Sequence, residues 1–209
     1  YPGGITCEAI TSQVDLAPTL IVLTGTDEKA RAQAADGLKG RDFSTLLKKG
    51  ASAKVDEIRP ASLFNYNMLS YQDVTWSEHF VQLIFSGKVT NAEKIETFLK
   101  NDPDFADRVG IRSIFDGRYR FSRYFGQTDF NTPTTLEALL ARNDVELYDL
   151  KEDPDEINNL AMDPRKNGEL LVALNTLANQ TIAREVGVDD GSFLPIRDGK
   201  WHFPSKSER

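Results

Sequence analysis

Arg118, Arg120 and Arg123, interleaved with Tyr119, Tyr124 and Phe125, are the side chains of this sequence whose types and spacing best suit chemistry. A guanidinium is a planar, permanently charged fork that matches the oxygens of sulfate, phosphate or carboxylate. Aromatic rings beside it can stack on a sugar or an arene. Alternate positions of a strand share a face, so the run offers one sheet face carrying cations and rings. The structural alternative is an exposed face on which arginine stems lie over aromatic surface.

Other candidates for chemistry are sparse. Histidine is the usual proton carrier near neutral pH, and there are two, His79 and His202. Neither has a second histidine or a cysteine at ligand spacing, so each reads as structural or solvated rather than as half of a zinc site. Cys7 is the only thiol, with Glu8 beside it, and reads as a small half-buried residue. No serine lies in G-x-S-x-G, and no glycine pattern fits a phosphate cradle. Glu152, Asp153, Asp155 and Glu156 lack the glycine and distal glutamate of an EF-hand loop, so with Pro154 among them they read as a charged turn. Asn179-Gln180-Thr181 is a glycosylation sequon inside an expected helix. Enzymes lower barriers by roughly 8–23 kcal/mol, whereas one general acid or base supplies about 3–5. An unassisted histidine therefore makes no ester hydrolase, and the chain reads as catalytically empty.

Composition narrows the class further. A chain of 209 residues buries roughly 70% of its unfolded surface, enough for a core without staples. The 25 basic and 32 acidic side chains leave a net charge of −7. That disfavours nucleic acid or an anionic membrane as partner, since both require a basic footprint. One cysteine precludes an internal disulfide and says nothing of compartment. No apolar run is long enough to span a bilayer. Tyr1-Pro2-Gly3-Gly4, with neither initiator methionine nor leader before it, reads as the interior of a longer chain.

The positioning elements follow from periodicity and punctuation. An apolar run from Ile10 to Leu23 predicts a short helix capped by Asp15, with Pro18 in its first turn and Gly25 ending it. A polar helix over 27–35, stopped by Gly37, and an anchor at Leu46 and Leu47 come next. Ser62 to Met68 alternates as a strand. Phe80, Leu83 and Ile84 predict a helix ending near Gly87, and Asn91 caps another through Ile95, Phe98 and Leu99. Val109–Phe115 and Arg118–Phe125 predict a hairpin whose Asp116-Gly117 supplies positive φ angles. Thr134 and Glu137 have capping-box spacing for a helix over 136–142, and 145–150 is a further strand. Asp163-Pro164 opens the longest helix, with Leu170, Leu171, Leu174, Leu177, Ala178 and Ile182 as its stripe and Gly187 as its stop. From Asp189 onward the sequence reads as an irregular tail anchored by Phe193, Leu194, Trp201 and Phe203. Antiparallel strands and one long amphipathic helix imply an α+β layer.

Three collinear segments carry a resemblance. Ser12-Gln13-Val14-Asp15-Leu16-Ala17-Pro18-Thr19-Leu20 resembles the S-x-x-D-L-A-P-T-L helix start of the sulfatase family, followed by a Gly40–Leu47 stretch similar to the family's next motif. Gly117-Arg118-Tyr119-Arg120-Phe121 resembles its G-R-Y-K-Y/F strand. Glu146 to Leu150, then Asp153-Pro154-Asp155-Glu156 and Asn159-Leu160-Ala161, resemble the segment before its last helix. The resemblance, spanning residues 10 to 185, implies the C-terminal part of a member of the alkaline-phosphatase-like superfamily. Residues 1–105 would be the tail of the main α/β domain. Residues 106–209 would form a small antiparallel sheet packed by a C-terminal helix.

The family's chemistry, by this resemblance, is sulfuric-ester hydrolysis by a formylglycine made within C/S-x-P-x-R, with calcium steadying the sulfate oxygens. Cys7 is followed by Glu8, Ala9, Ile10 and Thr11, so neither the proline nor the arginine of that motif is present. No catalytic or metal residue carries over. Calcium and formylglycine are expected in an N-terminal part, which is then this chain's partner, with a sulfated small molecule or glycan as the parent's substrate and a periplasmic or extracellular setting. Asn65, Tyr66, Arg123 and Tyr124 are the candidates for lining the substrate pocket. A stand-alone module binding an anionic sugar or a protein, and a phosphodiester or phosphonate hydrolase of the same superfamily, are the alternatives.

Overall fold

The computed structural model describes residues 3–67, 73–85, 106–188, 190–191, 196–197 and 200–201. Helices α1 (Leu16–Leu23), α2 (Glu28–Ala34) and α3 (Leu46–Lys49) precede strand β1 (Ser62–Tyr66) and helix α4 (Val74–Phe85). Strands β2 (Gly110–Phe115) and β3 (Tyr119–Phe125), helix α5 (Leu136–Arg142), strand β4 (Asp144–Asp149) and helix α6 (Pro164–Glu185) follow. One four-stranded sheet has the order β1-β2-β3-β4. The α+β class is as the sequence implies. The helix expected from Asn91, and the anchors Phe193, Leu194 and Phe203, lie outside the described residues.

The chain divides into two compact units. Unit 1 comprises 1–64, 112–122 and 146–188, and unit 2 comprises 65–111, 123–145 and 189–209. Most of the described apolar core belongs to unit 1: Ile10, Leu46, Ala61, Ile114, Phe121 and Leu147 are buried there. So are Leu171, Leu174, Ala178 and Ile182, at helical spacing on α6. Burying each of these leucine and isoleucine side chains stabilises the fold by about 1.5–3 kcal/mol. Asp163 caps α6 by accepting from the Lys166 N–H, and Pro164 stands where its missing N–H costs nothing. Gly187, at φ 99°, ends the helix, its N–H reaching the Ile182 carbonyl at 3.1 Å.

Asp15 does not cap α1. Its carboxylate is fully buried and accepts from the backbone N–H of Ser12 (2.8 Å) and Arg41 (2.7 Å) and from Arg59 Nε (2.8 Å) and Nη2. Arg59, equally buried, also donates from Nη1 to Glu185 at the end of α6. Thr19 extends the network, its Oγ1 donating to the Asp15 carbonyl (2.7 Å) and accepting from the Phe43 N–H (3.0 Å). A carboxylate with this many donors is drawn inward: it closes a capping box with Ser12 over the turn before α1, and its other donors are tertiary, so none is left for α1 itself.

The hairpin forms where expected, with one change. Only Gly117 takes a positive φ (99°). The Asp116 carboxylate closes the turn by accepting from the N–H groups of Arg118 (2.9 Å) and Tyr119 (2.7 Å). A side chain thus does the work expected of a second left-handed residue. The cap of α5 is Thr135, which accepts from the Ala138 N–H at 3.1 Å, rather than Thr134. In the tail, β5 (Ile196–Arg197) and β6 (Lys200–Trp201) pair antiparallel, Ile196 opposite Trp201. The signal overlooked was the sequence Asp198-Gly199, the same turn-forming dipeptide that predicts the first hairpin.

Candidate functional site

Unit 2 holds all four residues expected to line a pocket, Asn65, Tyr66, Arg123 and Tyr124. Asn65 and Tyr66 are exposed near the end of β1, Tyr124 is half-buried near the end of β3, and Arg123 is buried, 2% exposed. Gly110, which begins β2, fixes how closely these strand ends approach within the unit. A Cβ there would lie 2.9 Å from the Phe125 ring and 3.2 Å from Asn67 Oδ1. Phe125 packs edge-on against Phe130, with ring centroids 4.8 Å apart. Gly191 lies so close to Phe130 that a Cβ would meet its ring at 2.9 Å. The unit thus sets aromatic rings and amides at one end of the sheet.

Sequence reading passed over Gln127, which lies just beyond β3. It is 4% exposed, and neither Nε2 nor Oε1 makes a hydrogen bond. Asn143 is also buried; its Nδ2 donates to Asn131 Oδ1 and the Leu139 carbonyl (both 3.0 Å), while its Oδ1 accepts nothing. Buried amide atoms without partners are costly and infrequent. Gln127 and Asn143 therefore join Asn65, Tyr66 and Tyr124 as the polar candidates of unit 2. Only the structure could have found Gln127, because nothing in Gly126-Gln127-Thr128 marks burial.

The arginine face divides. Arg118 precedes β3 and is held by Asp149, with Nε at 3.0 and 3.1 Å from the two carboxylate oxygens and Nη2 at 2.6 Å from Oδ2. It also lies over the Tyr119 ring, 4.9 Å from the centroid. Arg120 is paired with Glu156. Arg123, three positions on and of opposite parity, is buried while Arg120 is exposed. Two of the three cations are thus engaged by acids of unit 1, so no single cationic face is presented. The acidic segment proves to be a turn: Asp153 accepts from the N–H groups of Ile157 (3.1 Å) and Asn158 (2.8 Å), and Glu156 takes φ 56°.

The Arg118 hydrogen bond holds the Asp149 carboxyl below its ordinary value of 3.8, helped by the Lys151 N–H and opposed by desolvation. A carboxyl depressed in the fold adds stability above its unfolded-state pKa and loses it as pH falls through the folded one. Asp149→Asn should therefore destabilise the chain at neutral pH. The gap between variant and parent should close as pH falls through and below 3.8. Urea midpoints at stepped pH measure it, and a gap unchanged by acid would refute the pairing.

His79 is exposed on α4, and His202 lies outside the described residues. Cys7 is half-buried in unit 1, in a groove of about 280 Å³ lined also by Ile5, Phe43, Leu46, Leu47 and Lys48. Among the described residues no three His, Cys, Asp or Glu side chains converge as a metal site. Among the described residues, then, no donor set fits a bound calcium.

No family model matches the chain, and no curated protein matches it. Solved structures do. The chain is similar to BT4656, solved in complex with its substrate D-glucosamine-2-N,6-O-disulfate, at 17% identity and a TM-score of 0.52. The match covers 91% of this chain and 28% of that one. It is similar also to BT1596, a 2-O GAG sulfatase, at 20% identity and a TM-score of 0.44, covering 82% of this chain and 24% of that one. The chain thus spans about a quarter of the length of these structures, and its likeness to BT4656 is one of fold.

Proposed function

We propose that this chain is the C-terminal portion of a sulfuric-ester hydrolase, completing the fold of its parent and contributing to the substrate pocket without catalysing alone. The observation that carries this reading is a fold shared over nearly the whole chain with little more than a quarter of BT4656, a protein whose substrate is a disulfated glucosamine. The three motif segments, collinear from Ser12 to Ala161, support it independently. In this reading the formylglycine and calcium belong to the upstream part, and the substrate is a sulfated small molecule or glycan met outside the cytoplasm. Asn65, Tyr66, Arg123 and Tyr124, with Gln127 added, contribute the pocket wall. Their rings and amides suit the faces and hydroxyls of a sugar, while the attack on sulfur occurs elsewhere.

The test begins with the gene sequence upstream of Tyr1, which should encode C/S-x-P-x-R. The isolated chain with an aryl sulfate and calcium should show no turnover above background, whereas the full-length protein should turn it over. Tyr66→Ala in the full-length protein should raise KM for a sulfated sugar about tenfold, the loss of one sugar-stacking contact worth about 1.4 kcal/mol. Turnover by the isolated chain, or an upstream sequence lacking the motif, would overturn the proposal.

A further inference from the structure

Helix α1 is inside out. Its eight residues, Leu-Ala-Pro-Thr-Leu-Ile-Val-Leu, include no charge. Yet Leu16, Leu20 and Leu23 are 51%, 62% and 43% exposed, while Asp15 and Thr19 are 0% and 3% exposed. Positions 16, 20 and 23 follow the i, i+4, i+7 rule, so the three leucines form one stripe. Val14, 45% exposed, stands just before the helix. The orientation is fixed, because the opposite side is held by the Asp15–Arg59 pair and by the Phe43 N–H donating to Thr19 Oγ1. Rolling the stripe inward would expose that network and break it.

A helix apolar on all sides belongs in an interior, and contiguous exposed apolar surface marks a contact. We propose that the Leu16-Leu20-Leu23 stripe is the seam on which the upstream body of the same polypeptide packs. This rests on the reading of the chain as a sulfatase portion. The occupant follows from proportion: the fold matched here accounts for 28% of the BT4656 chain, leaving most of such a molecule to be placed against this part. An uncharged stripe calls for an apolar counterpart, and α1, at about 1.5 Å per residue, is far too short to enter a bilayer as a span.

The seam can be read from thiol accessibility. Leu20→Cys, in a Cys7→Ser background, is labelled with a maleimide in the isolated chain and in the full-length protein. Mass spectrometry of the peptide carrying position 20 then follows the rate. Ile157→Cys, at a site 77% exposed in unit 1, is the control and should label at similar rates in both. Position 20 should label rapidly in the isolated chain and roughly a hundredfold more slowly in the full-length protein. Equal rates in both would overturn the proposal. So would protection that appears in the isolated chain as its concentration rises, since the stripe would then bind a second copy. If position 20 is protected but the full-length protein hydrolyses no sulfate ester, the seam stands and the sulfatase reading falls. Hydrolysis with position 20 unprotected gives the reverse.

Discussion

Arg59→Met should lower the unfolding free energy by about 3–5 kcal/mol, the usual consequence of removing one partner from a buried ion pair. Asp15 would keep its two backbone donors, from Ser12 and Arg41, but would lose the guanidinium that neutralises it. Glu185 would lose its Nη1 partner as well, retaining Arg184 at 2.9 Å. Denaturant titration measures the loss, and Glu185→Gln provides the cross-check. In the Arg59→Met background, Glu185→Gln should cost less than it does alone, because the two residues act through one network. A loss below about 1 kcal/mol would place Arg59 among ordinary screened surface pairs and refute its role as the lock of unit 1.

Gly40→Ala should cost about 3 kcal/mol, at the upper end of overpacking penalties. The added Cβ would lie well inside van der Waals contact with the Val14 carbonyl oxygen and carbon, and close to the Asp15 N. Those atoms are backbone, so no rotamer relieves the clash. The neighbouring N–H of Arg41 is also one of the donors to Asp15, so movement of this loop would loosen the same carboxylate. Gly37→Ala provides a contrast. No atom lies within 4 Å of a Cβ there, and the strain comes only from its φ of 76°. If Gly40→Ala unfolds at the same urea concentration as the parent, the close approach is not a constraint.

These two residues show what was legible. The segment Ser12 to Leu20 was recognisable as a motif, and the helix that begins within it was correctly bounded by Gly25. The purpose of its aspartate was not legible, because the partner lies 44 residues away, where no local signal marks it. Local signals sufficed for the hairpin, for α6 with its Asp163 cap and Gly187 stop, and for the turn at Asp153. They do not record that Arg123, a candidate on residue type and strand position, is 2% exposed within unit 2. Nor do they mark Gln127: a polar residue in a polar context is buried by packing that no periodicity records. The pattern of α1 was visible as apolar, but its outward stripe was not, since which side faces in depends on Arg59.

The Asp15–Arg59–Glu185 lock also bears on how the chain is made. Arg59 meets Asp15 across 44 positions and Glu185 across 126. A ribosome adding roughly 5–20 residues per second needs about 10–30 s between the first acid and the second. For that interval Arg59 has at most one of its two acids, and α6, whose leucines supply much of the core, has not emerged. Unit 1 therefore closes late, by contacts of long sequence separation that fold slowly. The leucines of α1 emerge within that same interval, after the upstream body proposed to cover them, so that body can hold α1 in place while unit 1 still lacks α6.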